Sequence, residues 1–210
     1  MTPFGSALRL CLPLLALLGL ASCGADAKFA PDAAVEQAQY VSGDAPSITL
    51  YTVVNNRTGA GAHSGLLIDG RERVLYDPAG TWYHPTVPER ADLHYGITDR
   101  MLSFYIDYHA RESYRVIEQK RYVPQETIDL VLQRVIAKGA AAKATCAQTL
   151  SSILIGLPGF ENIRSTWFPN RMAEDFAKAP GVTEWVIRDG DPDENSGVLT
   201  VQANGEPGGI

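Results

Sequence analysis

Cysteine is scarce in this chain. Its 210 residues hold only Cys11, Cys23 and Cys146, too few for the disulfide framework of a small secreted scaffold. A basic stripe is missing as well. Lysine and arginine total 18 against 24 acids, a formal charge of −6, and the two signs are interspersed, which argues against a nucleic-acid partner. No internal repeat is visible, so solenoid and propeller arrays are out. The longest apolar run, Leu10 to Leu20, is too short and isolated for a membrane-spanning helix. Of the histidines, Asp92-x-His94 taken with His84 or His109 has no recognised ligand spacing, so neither a metal nor another cofactor is expected.

What is present begins with an export pattern. Arg9 supplies a short positive region, Leu10 to Leu20 is apolar apart from Pro13 and Gly19, and no charge follows until Asp26, the layout of a secretory signal. The run ends in Leu20-Ala21-Ser22-Cys23, which resembles the bacterial lipobox. That resemblance implies a signal over residues 1–23, lipid modification of Cys23, and a lipoprotein held on the bacterial cell envelope facing the periplasm, inner or outer membrane undecided. The blander alternative is an ordinary signal cut near Ala21 or Ala25. Either cut removes Arg9 and takes the formal charge from −6 to about −7. Residues 24–46, rich in Ala, Asp and small polar residues, read as a tether. Residues 47–189 form one domain. Residues 190–210, with Asp189-Gly190-Asp191-Pro192-Asp193 and a glycine-rich end, read as a flexible tail in which Val198 to Val201 is a candidate short strand.

Within the domain, hydrophobic periods alternate. Ile48 to Asn55, Ser64 to Ile68 and Arg73 to Tyr76 read as strands, the last two joined by a tight turn at Asp69-Gly70. Met101 to Tyr108 and Tyr114 to Tyr122 also lean to strand, and Trp82 to Thr98, with Pro85 and Pro88, reads as a long ordered loop. Pro124 suits a first helical position. Ile128, Val131, Leu132, Val135 and Ile136 then recur at helical spacing until Gly139. A second helix carries the stripe Leu150, Ile153, Leu154, Leu157 and stops at Pro158-Gly159.

Cys146 stands at the start of that second helix. Thr145-Cys146-Ala147-Gln148 has the form of a capping box, in which the Thr145 hydroxyl and the Gln148 side chain satisfy each other's amides. A thiolate among the unpaired amides of a helix start is stabilised, and its pKa falls below the free value of about 8.5. The competing reading continues the preceding helix through Ala140 to Ala144 and buries Cys146 as an inert small hydrophobe. A thiolate needs a base, and His63 is the best placed histidine: it precedes Ser64-Gly65-Leu66-Leu67-Ile68 at a strand entry, after the small residues Gly59 to Ala62. His84, His94 and His109 read as surface or loop histidines. A three-residue hairpin loop centred on Gly70 would set His63 opposite Asp77, Gly65 opposite Leu75 and Leu67 opposite Arg73. Any odd loop keeps Asp77 on the His63 face, whereas a two-residue turn disperses the pair. Asp77-Pro78-Ala79-Gly80 is also good turn chemistry in its own right.

The strand from His63 to Ile68, the strand Val74-Leu75-Tyr76 with Asp77-Pro78, and the late Thr145 to Leu150 helix together resemble the circularly permuted branch of the papain-like cell-wall peptidase superfamily, which includes lecithin:retinol-type acyltransferases. The resemblance covers about Ile48 to Arg188. It implies an α+β fold, an antiparallel sheet packed against a few helices with the nucleophile helix late. It further implies Cys146 as nucleophile, His63 as base and Asp77 as the group that orients His63. The acyltransferases of this branch often have histidine in the third role and Asn-Cys at the nucleophile, where this chain has Asp77 and Thr145-Cys146. The expected activity is an envelope-anchored thiol hydrolase cleaving an amide through a thioester, with peptidoglycan stem peptides the nearest substrate class. The alternatives are a lipid-directed acyl hydrolase or acyltransferase, and a non-catalytic binding lipoprotein. The expected partners are thus a membrane, through the anchor, and a peptide or acyl substrate. Trp82-Tyr83, Phe104-Tyr105, Tyr108 and Trp167-Phe168 are candidates for a cleft lining or for core.

Overall fold

The computed structural model describes residues 28 to 204. The run read as an export signal, Cys11, and Cys23, read as the lipidation site, lie outside the described residues, as do residues 205–210. Among the described residues there are seven strands and six helices, and no helix is long and apolar enough to cross a membrane. In chain order these are α1 (Asp32–Ala38), β1 (Ser47–Asn55), β2 (Gly61–Asp69), β3 (Arg73–Tyr76), β4 (Glu89–Arg90), β5 (Leu93–Tyr95), α2 (Asp99–His109), β6 (Tyr114–Tyr122), α3 (Gln125–Lys138), α4 (Cys146–Leu154), α5 (Pro169–Phe176), β7 (Thr183–Arg188) and α6 (Ser196–Ala203). The strands form one sheet, ordered β4-β5-β3-β2-β1-β6-β7 and antiparallel throughout.

Alternation along the central strand explains why both faces of the sheet are covered. Ile48 and Leu50 of β1 join Leu66, Ile68, Val74 and Tyr76 beneath α3, α4 and α5, which contribute Ile128, Val131, Leu150, Ile153, Met172 and Phe176. Tyr51 points the other way, into a second core with Leu67, Leu75, Val116 and the α2 residues Phe104, Tyr105 and Tyr108. A fully buried Leu, Ile or Phe contributes about 1.5–3 kcal/mol, so the two layers hold the sheet from both sides.

Three sequence readings are corrected here. Met101 to Tyr108 is not a strand but lies within α2, whose start is capped by the Thr98 hydroxyl accepting from the Met101 amide (3.2 Å). Its aromatic residues favour strand by propensity, yet Met101, Phe104, Tyr105 and Tyr108 recur with helical spacing, and burying that stripe wins over propensity. Residues 28–46 are docked rather than a free tether. The Ala30 amide donates to the Glu89 carbonyl (2.9 Å), the Arg73 amide to the Tyr40 carbonyl (2.8 Å) and the Ser42 hydroxyl to Asp69 (2.8 Å). The segment after Arg188 is likewise packed: the Glu112 amide donates to the Asp191 carbonyl (2.8 Å), the Ser113 amide to Asp193 (2.9 Å), and Val198 and Leu199 sit against the second core, in a helix rather than a short strand. The long loop over residues 82–98 contains β4 and β5, and β7 adds an edge strand that the sequence pattern did not announce.

The β2–β3 hairpin loop has three residues, as expected, but is centred on Arg71 rather than Gly70, so Asp69 faces Arg73 and Leu67 faces Leu75. This register pairs charges instead of setting Arg73 against Leu67. The nearly buried Arg73 donates Nε to the Ile97 carbonyl (2.8 Å), lies 3.8 Å from Asp69 and 2.5 Å from Asp99, and stacks on Tyr40 (4.9 Å). Truncating one partner of such a pair strands the other charge. Arg73→Ala is therefore expected to cost about 3–5 kcal/mol, read as a lower urea midpoint at constant slope; a loss under about 1 kcal/mol would show that the pair contributes no more than a surface contact.

Candidate active site

Strand β3 ends at Tyr76, opposite Leu66, whereas β2 starts at Gly61, so over Gly61 to Gly65 strand β2 is paired only with β1. Helix α4 packs on β2 and brings its first residue, Cys146, to this open edge. A bulge is also present: Val53 pairs with His63 but Val54 with Gly61, which leaves Ala62 as the extra residue. Bulges bend a strand and re-aim the next side chain. Here that side chain is His63.

Asp77 follows β3 by one residue. With the observed register it faces Gly65, two places from the expected partner His63, but the odd loop keeps both on one face. The contact is made diagonally: His63 Nε2 and Asp77 Oδ1 are 2.6 Å apart. The backbone of Asp77 is at the same time a turn, donating to the Asp92 carbonyl (2.9 Å) and accepting from the Gly80 amide (2.9 Å). Asp77 thus contacts His63 with its side chain and forms a turn with its backbone. Two glycines make the room: a Cβ at Gly65 would lie 2.2 Å from the Tyr105 hydroxyl, and one at Gly80 would lie 1.7 Å from Asp77 Oδ2.

Cys146 is 7 % exposed. It is buried, as one reading held, yet the His63 side chain and the backbones of Ser64 and Ala147 act on its thiol. Its neighbourhood decides its chemistry. Burial pushes the thiol up, but the His63 ring and the two backbone donors outweigh that and hold it below its ordinary value. Burial also disfavours a charged His63, yet the Asp77 carboxylate, followed by Cys146, lifts the ring to about 10. Asp77 is held well below the usual carboxylate range, because the His63 charge and hydrogen bond exceed the cost of its burial. Each shift favours the charged form of its group, thiolate for Cys146, imidazolium for His63 and carboxylate for Asp77. The capping box is corrected: the Thr145 hydroxyl donates to the Ala142 carbonyl (2.7 Å), there is no side-chain cap, and Cys146 is nonetheless the first helical residue.

Two further residues reach the site from α2. The Tyr105 hydroxyl donates to Asp77 Oδ1 (3.0 Å), and the His109 ring stacks on His63, centroids 5.4 Å apart and planes 9° apart. His109 is held down at about 4, chiefly by burial, and is neutral. Reading Met101 to Tyr108 as strand hid both, because residues four apart lie about 13 Å from one another along a strand, whereas one helical turn sets Tyr105 beside His109. Of the other histidines, read as surface or loop residues, His84 lies in a loop but is not at the surface, and His94 is neither. His84 is buried and accepts from the Thr86 amide (3.2 Å), and His94 is buried on β5 against Trp82 (5.3 Å). Asp92 is a backbone clamp: its side chain accepts from the Ala79 amide (2.9 Å) in the Asp77 turn and the Ala141 amide (2.8 Å) in the approach to Cys146.

A cleft of about 250 Å³ opens on His63 and His109 and is walled by Gly80, Thr81, Tyr108 and Asp193. Of the aromatic candidates, Tyr108 lines this cleft, Trp82, Phe104 and Tyr105 are core, and Trp167 and Phe168 are exposed. Comparison with family models, with curated proteins and with solved structures returns no match for this chain.

Proposed function

We propose that this chain is a thiol hydrolase of the circularly permuted papain-like type, anchored to the bacterial envelope through Cys23, that cleaves an amide with peptidoglycan stem peptides as the nearest substrate class. The observation that carries the reading is the 2.6 Å contact between His63 Nε2 and Asp77 Oδ1 beside a Cys146 thiol that the His63 ring holds below its ordinary value. With Nε2 committed to Asp77, the ring offers Nδ1 to the thiol. The thiolate attacks the carbonyl carbon, and the oxyanion is met by backbone amides at the start of α4. As the C–N bond breaks, the Nδ1 proton passes to the leaving amine. Water, deprotonated by the now neutral ring, hydrolyses the thioester. Asp77 keeps the tautomer in register throughout.

A binding lipoprotein that retains the fold is the second reading, favoured by the slight exposure of Cys146. Labelling separates the two. At pH 6 an ordinary thiol is about 0.3 % thiolate, so native Cys146 in the hydrolase should react with iodoacetamide at least about tenfold faster than in the denatured chain, and His63→Ala should remove that excess. A native thiol slower than the denatured one would favour the binding protein. The anchor has its own check: Cys23→Ser should move the folded protein from the membrane to the soluble fraction, and an unchanged membrane pool would end the lipoprotein claim.

A further inference from the structure

His109 is not needed for the thiol chemistry, yet it completes a second constellation. One nitrogen of His63, one oxygen of Asp77 and one nitrogen of His109 lie within 4.8 Å of one another. Asp77 Oδ1 is taken by His63 and Tyr105, whereas Oδ2 is buried and finds no hydrogen-bond partner. His109 Nδ1 is committed to the Tyr105 carbonyl at 2.8 Å. A ring N–H bound to a carbonyl fixes the tautomer with a bare Nε2, the arrangement that supports a metal-ligating imidazole. The cleft reaches both rings, so an ion and its water can enter.

We propose that His63 Nε2, the Asp77 carboxylate and His109 Nε2 bind one divalent ion of the zinc class, and that the bound ion holds the thiol site inactive. Two imidazoles and a carboxylate are a zinc-type donor set, with water from the cleft in the fourth position. The ion takes the place of the proton between His63 Nε2 and Asp77, so one proton is released for each ion bound. The remaining ring proton then sits on Nδ1, facing Cys146. A metal-bound ring that keeps this proton cannot take another from the water that hydrolyses the thioester, and turnover is lost until the ion leaves. Inhibition rests on the hydrolase reading, whereas binding rests on the three ligands alone.

The test uses chelator-stripped full chain, titrated with Zn²⁺ against a chromophoric indicator and with Co²⁺ followed by visible absorption. One ion per chain is expected. His109→Phe keeps an aromatic ring against His63 but removes the ligand, and should weaken binding by about 100-fold or more; His109→Gln checks that the loss is not a folding artefact, and thermal melts confirm that both variants are folded. Cys146→Ala should bind as the wild type does. Stoichiometric Zn²⁺ should slow turnover of an amide substrate at least about tenfold in wild type and leave the turnover of His109→Phe unaffected. Binding that survives in both His109 variants, as it would at Asp107, Asp189 and Asp191, or binding that disappears in Cys146→Ala, overturns the proposal. A Cys146 that is unreactive in metal-free protein defeats the hydrolase reading instead, and the binding data then stand by themselves.

Discussion

Cys146→Ala and His63→Ala should each abolish turnover of an amide substrate, by about 10³-fold or more, and the double variant should be little worse than either. The expectation follows from geometry. The His63 ring is what holds the thiol below its ordinary value, so removing either leaves nothing for the other to activate. Asp77→Asn keeps a side chain that can bond His63 but presents an amide in place of the carboxylate, and should cost less than loss of the ring while still favouring the wrong tautomer. The assay is hydrolysis of a stem-peptide amide by purified protein, with melting temperature recorded for each variant. Additive losses in the double variant would mean that the two residues act independently and would remove the basis for the site. A drop in melting temperature confined to Cys146→Ala, with turnover kept, would mark the cysteine as a core residue.

The second large effect should come from a residue that carries no chemistry. Gly80→Ala places a Cβ 1.7 Å from Asp77 Oδ2, closer than real atoms approach, so either the carboxylate or the turn must move. Displacing the group that orients the base by about 1 Å can cost about 100-fold in rate, and activity should fall by that order with the chain still folded. Gly65→Ala acts on the same carboxylate from the opposite side, since its Cβ would lie 2.2 Å from the Tyr105 hydroxyl and 3.2 Å from Asp77 Oδ1. Displacing Tyr105 leaves His63 in contact with Asp77, so Gly65→Ala should cost less turnover than Gly80→Ala. Wild-type turnover in Gly80→Ala would show that the position of Asp77 does not matter. Thr81, the next residue in the turn, bonds Tyr108 (2.9 Å) rather than Asp77, and serves as a control for damage to the cleft wall.

Local pattern was enough to place much of this site. The apolar stripe of α4 requires a helix, and its start falls at Cys146 without the side-chain cap that the sequence suggested. Strand alternation with an odd hairpin loop puts Asp77 on the face of His63 whichever residue the loop is centred on, because parity survives a two-residue shift. Packing decided the rest. The register slipped by two because Asp69 and Arg73 pair better than Leu67 and Arg73, and so the His63–Asp77 contact is diagonal rather than direct. Met101 to Tyr108 is rich in strand formers, and only the core waiting for Phe104, Tyr105 and Tyr108 makes it a helix that delivers Tyr105 and His109. Residues 28–46 are polar and look unable to order themselves, but they find backbone partners at Glu89 and Arg73 that no local pattern announces. Sequence by itself determined which residues could meet, since helix and strand periods are local properties of the chain. Tertiary structure decided which of them do, since a hydrogen bond between Asp77 and Tyr105, or the docking of residues 28–46 at Glu89 and Arg73, depends on elements far apart in the chain arriving within a few tenths of an ångström of one another.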